Sequence, residues 1–277
     1  MGLRLDSVGY TYSPRTSFAQ RALGGVSLDV TPGEIVLVLG ATGSGKSTLL
    51  RVCAGLLQAG EGRVSIDGMP LTKASVRGRV GLVFQDAESQ LFSESLWADV
   101  AFGPRNLSVS EEDTVLRVRD ALEAVGLPVG DYGQRSPFSL SGGEARRGAI
   151  AGVLAMRPSY LLLDEPSAGL DACGRRAVRA AIHAARSGAG VVVVSHSAEE
   201  FLGEADRVLV MSHGSVAFLG TAAEVIANPE TLEAAGLLVP DVLRFQQLAR
   251  DRGHHCGPFT LDSAEAAASV VGAGGCR

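Results

Sequence analysis

The stretch Gly40-Ala41-Thr42-Gly43-Ser44-Gly45-Lys46-Ser47-Thr48 constrains this chain more than any other. Its spacing, G-x-x-x-x-G-K-S, is that of a phosphate-binding loop. Glycines let successive backbone N–H groups turn inward around phosphate oxygens, where a Cβ would obstruct them. Lys46 is placed to reach the β- and γ-phosphates, and the Ser47 hydroxyl to ligate Mg²⁺. The flanks agree. Residues 34–39, Glu-Ile-Val-Leu-Val-Leu, predict a short buried strand. Residues 47–55 predict a helix whose N-terminus faces the phosphates.

Two further motifs carry chemistry. Leu161-Leu162-Leu163-Asp164-Glu165-Pro166 follows the start of an apolar strand. A carboxylate at a strand end beside a phosphate loop can hold Mg²⁺, which is the role expected of Asp164. Glu165, one residue on, can polarise an attacking water as a general base. In Leu140-Ser141-Gly142-Gly143-Glu144, Ser141 and Glu144 have capping-box spacing. Gly142 and Gly143 weaken a first helical turn, so close approach of a phosphate is the better reason for them.

Along the chain, Leu3–Tyr12 and Val26–Val30 predict strands, with a loop over 13–21 between them. Tyr10 and Tyr12 flank Thr11, so one ring is available to face a ligand. Asp67-Gly68 signals a hairpin after a strand at 63–66, and another strand at 80–84 ends at Gln85. From about 86 to 157 the pattern turns helical. There Ser110 to Asp113 has capping-box spacing, although Asp suits the return contact less well than Glu. Val115, Val118, Leu122 and Val125 then line one helical face. Apolar runs at 160–163 and 191–194 suit parallel strands covered on both faces. Asp171, Ser197-Ala-Glu-Glu200 and Thr221-Ala-Ala-Glu224 each predict a helix start. A hairpin is expected across His213-Gly214, a short helix at 242–250 and fraying over 272–277.

Composition excludes several classes. Net charge is −5 and no long Lys or Arg run occurs, which argues against nucleic acid as a partner. Cys53, Cys173, Cys256 and Cys276 are far apart, as expected of reduced cytosolic thiols. A basic-then-apolar signal region is absent, and no 18-residue apolar stretch spans a membrane.

The loop at 40–48, Gln85 after a strand, Leu140–Glu144, Leu161–Pro166, Ser-Ala-Gly-Leu-Asp at 167–171 and His196 after a strand together resemble the motif series of ATP-binding cassette ATPases. The resemblance spans about residues 3–230. It implies an α/β P-loop NTPase core with an N-terminal antiparallel β subdomain and a helical subdomain inserted at about 86–157. Residues 231–277 then form a C-terminal helical extension. ATP and Mg²⁺ are the implied cofactors. Tyr12 is similar to the aromatic that stacks on adenine. Gln85 resembles the residue that senses Mg²⁺ and γ-phosphate and links them to a transmembrane partner. Asp171 resembles the residue that communicates across a dimer, and His196 the switch histidine on the γ-phosphate.

A narrower resemblance rests on residues 84–92 (Phe-Gln-Asp-Ala-Glu-Ser-Gln-Leu-Phe), 99–107 (Asp-Val-Ala-Phe-Gly-Pro-Arg-Asn-Leu), 135–143 and 149–156. These are similar to the ATPases of energy-coupling factor importers of vitamins and metal ions, and most to the second of their two ATPase subunits. That implies a second ATPase subunit, a transmembrane coupling subunit and a substrate-capture membrane subunit as partners, at the cytoplasmic face of the membrane. Glu144 stands where Gln is commoner, Ser167 for Thr, Ala172 for Pro, and Asp86-Ala87 for a more apolar or Pro-containing pair. None removes a catalytic group. An ATPase of another transporter, or a non-transport member of the same class, is the alternative.

Overall fold

The computed structural model of the chain describes residues 2–254 and 257–271, so the expected fraying over 272–277 lies outside the described residues. The chain begins with β1 (Leu3–Tyr12), β2 (Gln20–Val30), β3 (Ile35–Leu39) and α1 (Lys46–Cys53). It continues through β4 (Glu61–Ile66), β5 (Met69–Pro70), α2 (Lys73–Val76) and β6 (Val80–Val83). Between β6 and the next strand lie only helices: a 3-10 turn at Ala87–Gln90, α3 (Leu96–Asn106), α4 (Glu111–Ala124), α5 (Val129–Tyr132), a 3-10 turn at Pro137–Ser139 and α6 (Gly142–Ala155). The remainder is β7 (Tyr160–Asp164), α7 (Ala172–Ala185), β8 (Gly190–Ser195), β9 (Arg207–Ser212), β10 (Ser215–Thr221), α8 (Ala222–Ala227), α9 (Glu230–Ala234), α10 (Asp241–Asp251) and α11 (Ser263–Val271).

Two sheets result. The N-terminal one, in order β2-β1-β4-β5, is antiparallel throughout. The second has the order β10-β9-β3-β8-β7-β6, parallel from β9 to β6, with β10 added antiparallel. Its central strands are unbroken apolar runs because both faces are covered. Successive residues point to opposite faces. Ile35, Leu37, Leu161, Leu163, Val191 and Val193 therefore share one core with α3, α4, α6, α7 and the segment 198–202, while Val36, Val38, Leu162, Val192 and Val194 share the other with α1 and the antiparallel sheet. Leu232 of α9, Leu243 of α10 and Val239 between them join the first of these cores.

The sheet order decides where the chemistry goes. β3, β8, β7 and β6 lie side by side and run in the same direction. The loop at 40–45, His196, Glu165 and Gln85 each follow the carboxyl end of one of these strands, where open α/β sheets bind ligands.

Local expectations fail at three places. The loop expected over 13–21 is shorter, because Gln20 and Arg21 already pair with Tyr12 and Thr11. The buried face of α4 carries Thr114, Val118, Ala121 and Leu122, with Val125 just past its end, while Val115 is exposed. The helix expected from Ser197 is a series of turns. Its Glu200 carboxylate is engaged instead by the Ser167 hydroxyl and by Arg175, so it cannot close a capping box. Elsewhere the capping reading is sound in detail. Ser141 and Thr221 form complete boxes with Glu144 and Glu224, whereas Ser110 makes only its half with Asp113.

Candidate functional site

The loop after β3 is built by backbone conformation. Gly43 has φ 82° and Gly45, the N-cap of α1, has φ 103°, conformations that cost a residue with a Cβ. A Cβ at Gly43 would meet nothing within 4 Å, whereas at Gly45 it would lie 2.5 Å from the Ala22 carbonyl oxygen. Gly43 therefore leaves an open concavity, and Gly45 lets α1 approach β2. Gly40 and Ser44 lie behind the loop: a Cβ at Gly40 would be 2.4 Å from Ser44 Oγ, and Ser44 is buried. They shape the turn without lining the cleft.

A cleft of about 380 Å³ opens in front of this loop. Thr42, Gly43, Gly45, Lys46, Ser47 and Thr48 form one wall. Gln85, Asp164, Glu165 and His196 form another, and Tyr12 closes one side. These residues come from five separate segments. Tyr12 is held by a 3.2 Å hydrogen bond between its hydroxyl and Thr48 Oγ1 and by an edge contact with Tyr10 at 4.9 Å between ring centroids.

Lys46 Nζ donates to the carbonyl oxygens of Gly40 (2.6 Å) and Ala41 (3.0 Å). Burial lowers its pKa, opposed by the charges of Glu165 and Asp164. Asp164, the last residue of β7, is 7% exposed. Burial raises its pKa, and the Ser47 hydroxyl, Lys46 and Arg51 act in the opposite direction. A hydroxyl and a carboxylate thus sit together beside an ammonium. Among the described residues no group of three or more His, Cys, Asp and Glu side chains can hold a metal ion. The Ser47–Asp164 pair fits the other mode, in which Mg²⁺ takes one or two hard oxygen ligands from protein and the rest from phosphate and water.

Glu165 has φ 50°, a left-handed conformation unusual for a residue with a side chain. Its N–H donates to the Val194 carbonyl at 3.0 Å, and its Oε2 lies 2.9 Å from His196 Nδ1. The carboxylate is only 13% exposed while the imidazole is 69% exposed, so the acid is fixed and the histidine reaches outward.

Ser141, Gly142 and Gly143 do not join this cleft. They form the start of α6, where Ser141 Oγ accepts from Glu144 N and Glu144 Oε2 accepts from Ser141 N. A Cβ on Gly142 would meet nothing within 4 Å, and one on Gly143 only Leu170 at 3.4 Å. Packing within the chain therefore does not demand these glycines. Asp171 caps α7 through Gly174 N at 2.7 Å and also lies outside the cleft.

Sequence reasoning missed Gln20, Arg21 and Ala22 of β2 and Ala168, all of which line the cleft. No chemical signal marks them: strand pairing of β2 with β1 brings the first three there, and Ala168 comes from the turn after β7. It also missed Arg146, buried on α6 with its guanidinium directed at the backbones of Gln85, Glu165 and Ala168.

The family model described as ABC transporter matches residues 23–168. The energy-coupling factor transporter ATP-binding protein EcfA2 of Symbiobacterium thermophilum is 47% identical, over 98% of this chain and 96% of its own. The protein of the same name from Clostridium perfringens is 41% identical, over 96% and 97%. Among solved structures, cbiO1 from Clostridium perfringens, part of the ABC transporter complex cbiONQ, superposes with TM-score 0.73 at 32% identity, covering 88% of this chain and 98% of that one. The cassette MJ0796, a dimer in a post-hydrolysis state bound to ADP and Pi, gives 0.71 at 28% identity, covering 79% and 98%. Motif series, sheet order, cleft and relatives agree: the chain belongs to the ATP-binding proteins of energy-coupling factor transporters, within the ABC transporter family.

Proposed function

We propose that this ATP-hydrolysing subunit supplies one half of a two-chain ATP site and powers uptake of a vitamin or transition-metal ion. The observation that carries the reading is the convergence of Lys46, Asp164, Glu165 and His196 on one cleft from the ends of adjacent parallel strands. Lys46 and the N–H groups of the loop hold the phosphates, and Tyr12 offers its ring to the adenine. Ser47 and Asp164 would hold Mg²⁺, with Gln85 beside them; the ion would neutralise charge developing on the phosphate oxygens. Glu165 accepts the proton of the attacking water. His196 holds Glu165 in place and reaches the γ-phosphate. Fixed dipoles and charges of this kind supply most of the rate enhancement.

The start of α6 supports the two-chain part. Ser141 and Gly142 are exposed, the start of α6 lies away from the chain's own cleft, a Cβ on Gly142 would meet nothing within 4 Å, and the relative MJ0796 is dimeric. The second ATPase subunit is a copy of this chain or a related one. No described helix is long and apolar enough to cross a membrane, so transport requires separate membrane subunits for coupling and for substrate capture. The chain then acts at the cytoplasmic face of the membrane, without nucleic acid. Residues 1–230 constitute its ATPase domain, with 86–157 as the inserted helical part, and 231–277 the extension. Gln246 ties α10 to the following segment through Thr260, which supports treating that extension as one element.

The test is Glu165→Gln. The variant binds ATP, traps the two-chain complex on size-exclusion chromatography, and turns over at least about 100-fold more slowly. Turnover at the wild-type rate would sink the role given to Glu165.

A further inference from the structure

We infer that Arg146 is a positioning residue that clasps the segments carrying Gln85 and Glu165 to the helix that begins at Ser141. The inference rests on the roles proposed above for those residues.

Arg146 lies on α6, three residues after Gly143, and is 7% exposed. A guanidinium so placed is costly unless its planar donors are satisfied. Here they are, by acceptors from two segments. One terminal nitrogen donates to the carbonyls of Ala168 (2.5 Å) and Glu165 (3.3 Å). The other donates to the Gln85 carbonyl, and Nε to the Glu88 carboxylate at 3.3 Å. One rigid fork thus bridges the turn after β6 and the turn after β7.

These contacts fall on backbone whose orientation the chemistry needs. Glu165 has a positive φ, a strained conformation that persists only where its surroundings over-determine it. Its N–H is held by Val194, its carboxylate by His196 and its carbonyl by Arg146. The same guanidinium fixes the Gln85 peptide, whose side chain lines the cleft. Arg146 touches no cleft surface itself. Its consequence is that the start of α6, offered to a second chain, cannot shift without moving Gln85 and Glu165 of its own chain.

The experiment compares ATP turnover of the assembled protein in Arg146→Gln and Arg146→Lys, normalised to the sites that bind nucleotide. Lys retains the charge and the packed stem but cannot address four acceptors in one plane. Arg146→Gln is expected to lower kcat by about 10- to 100-fold, with KM for ATP within about twofold, because the phosphate loop is untouched. Arg146→Lys is expected between that and wild type. A merely structural role predicts a lower melting temperature with unchanged turnover per binding site. If Arg146→Gln does not fold, Arg146→Lys decides alone. Glu165→Gln is measured alongside: full turnover there overturns the role of Glu165. Wild-type turnover in the folded Arg146 variants beside an inactive Glu165→Gln overturns the clasp.

Discussion

Glu144 shows how much one side chain settles at a helix end. Its Oε2 accepts from Ser141 N and Ser141 Oγ, both at 2.8 Å, and its Oε1 accepts from the Tyr132 hydroxyl at 2.9 Å. The hydrogen bonds from Ser141, with a smaller one from Tyr132, favour the ionised form and hold its pKa below 4.5. The sign of the linkage follows. The stabilisation is complete above the unfolded carboxylate value and is lost as pH falls through the lower folded value. Glu144→Gln keeps an acceptor for the Ser141 N–H and removes the titration. Urea unfolding from about pH 7 to 3.5 should show the wild type ahead by less than about 1 kcal/mol at neutral pH, the contact being solvent-accessible. That advantage should shrink below the ordinary carboxylate value of 4.5. A gap that stays constant with pH would mean that the Glu144 charge does not stabilise the helix start.

At the scale of elements, α4 separates what sequence shows from what it does not. The residues 115, 118, 122 and 125 and the residues 114, 118, 121, 122 and 125 share most of their members. Periodicity therefore finds the helix and its approximate face, but not which edge of the stripe is covered. Packing against α3 and α6 makes that choice, burying Thr114 fully and leaving Val115 39% exposed. The segment after His196 fails for a related reason. A Ser three residues from a Glu is a sound local helix signal, and tertiary contacts from Ser167 and Arg175 override it. The buried strands were legible because residues 35–39, 160–163 and 191–194 are apolar runs, the buried Asp164 and Ser195 standing only at the carboxyl ends of β7 and β8. The energetic difference is measurable. Leu122 is fully buried, so Leu122→Ala should lower unfolding free energy by about 2–5 kcal/mol. Val115→Ala should change it by less than about 0.5 kcal/mol. Equal losses in denaturant unfolding would restore Val115 to the core face.

For the whole molecule, the motifs were legible singly because phosphate chemistry permits few residue types at a given spacing. Their convergence was not, because Lys46, Glu165 and His196 meet only through the order β3-β8-β7, which no local pattern encodes. Arg146 was hidden for the same reason: its partners at 85, 88, 165 and 168 are distant in sequence. The same topology divides the site. The cleft gathers the phosphate loop, Gln85, Asp164, Glu165 and His196, and leaves the start of α6 facing solvent. On the two-chain reading proposed above, a single chain offers the binding half and a second chain the closing half. Association between chains should then govern turnover but not nucleotide binding. ATPase rate per mole of protein, followed from about 0.05 to 20 μM, should rise with concentration and level off as the two-chain complex fills. Equilibrium binding of ATP to Glu165→Gln at the lowest concentration should still be detected. If a related second subunit is the natural partner, adding it should raise the rate at concentrations where this chain alone is slow. Specific activity that is flat across the range and indifferent to a partner would place a complete catalytic site within one chain, and would leave Gly142 and Gly143 without a ligand to explain them.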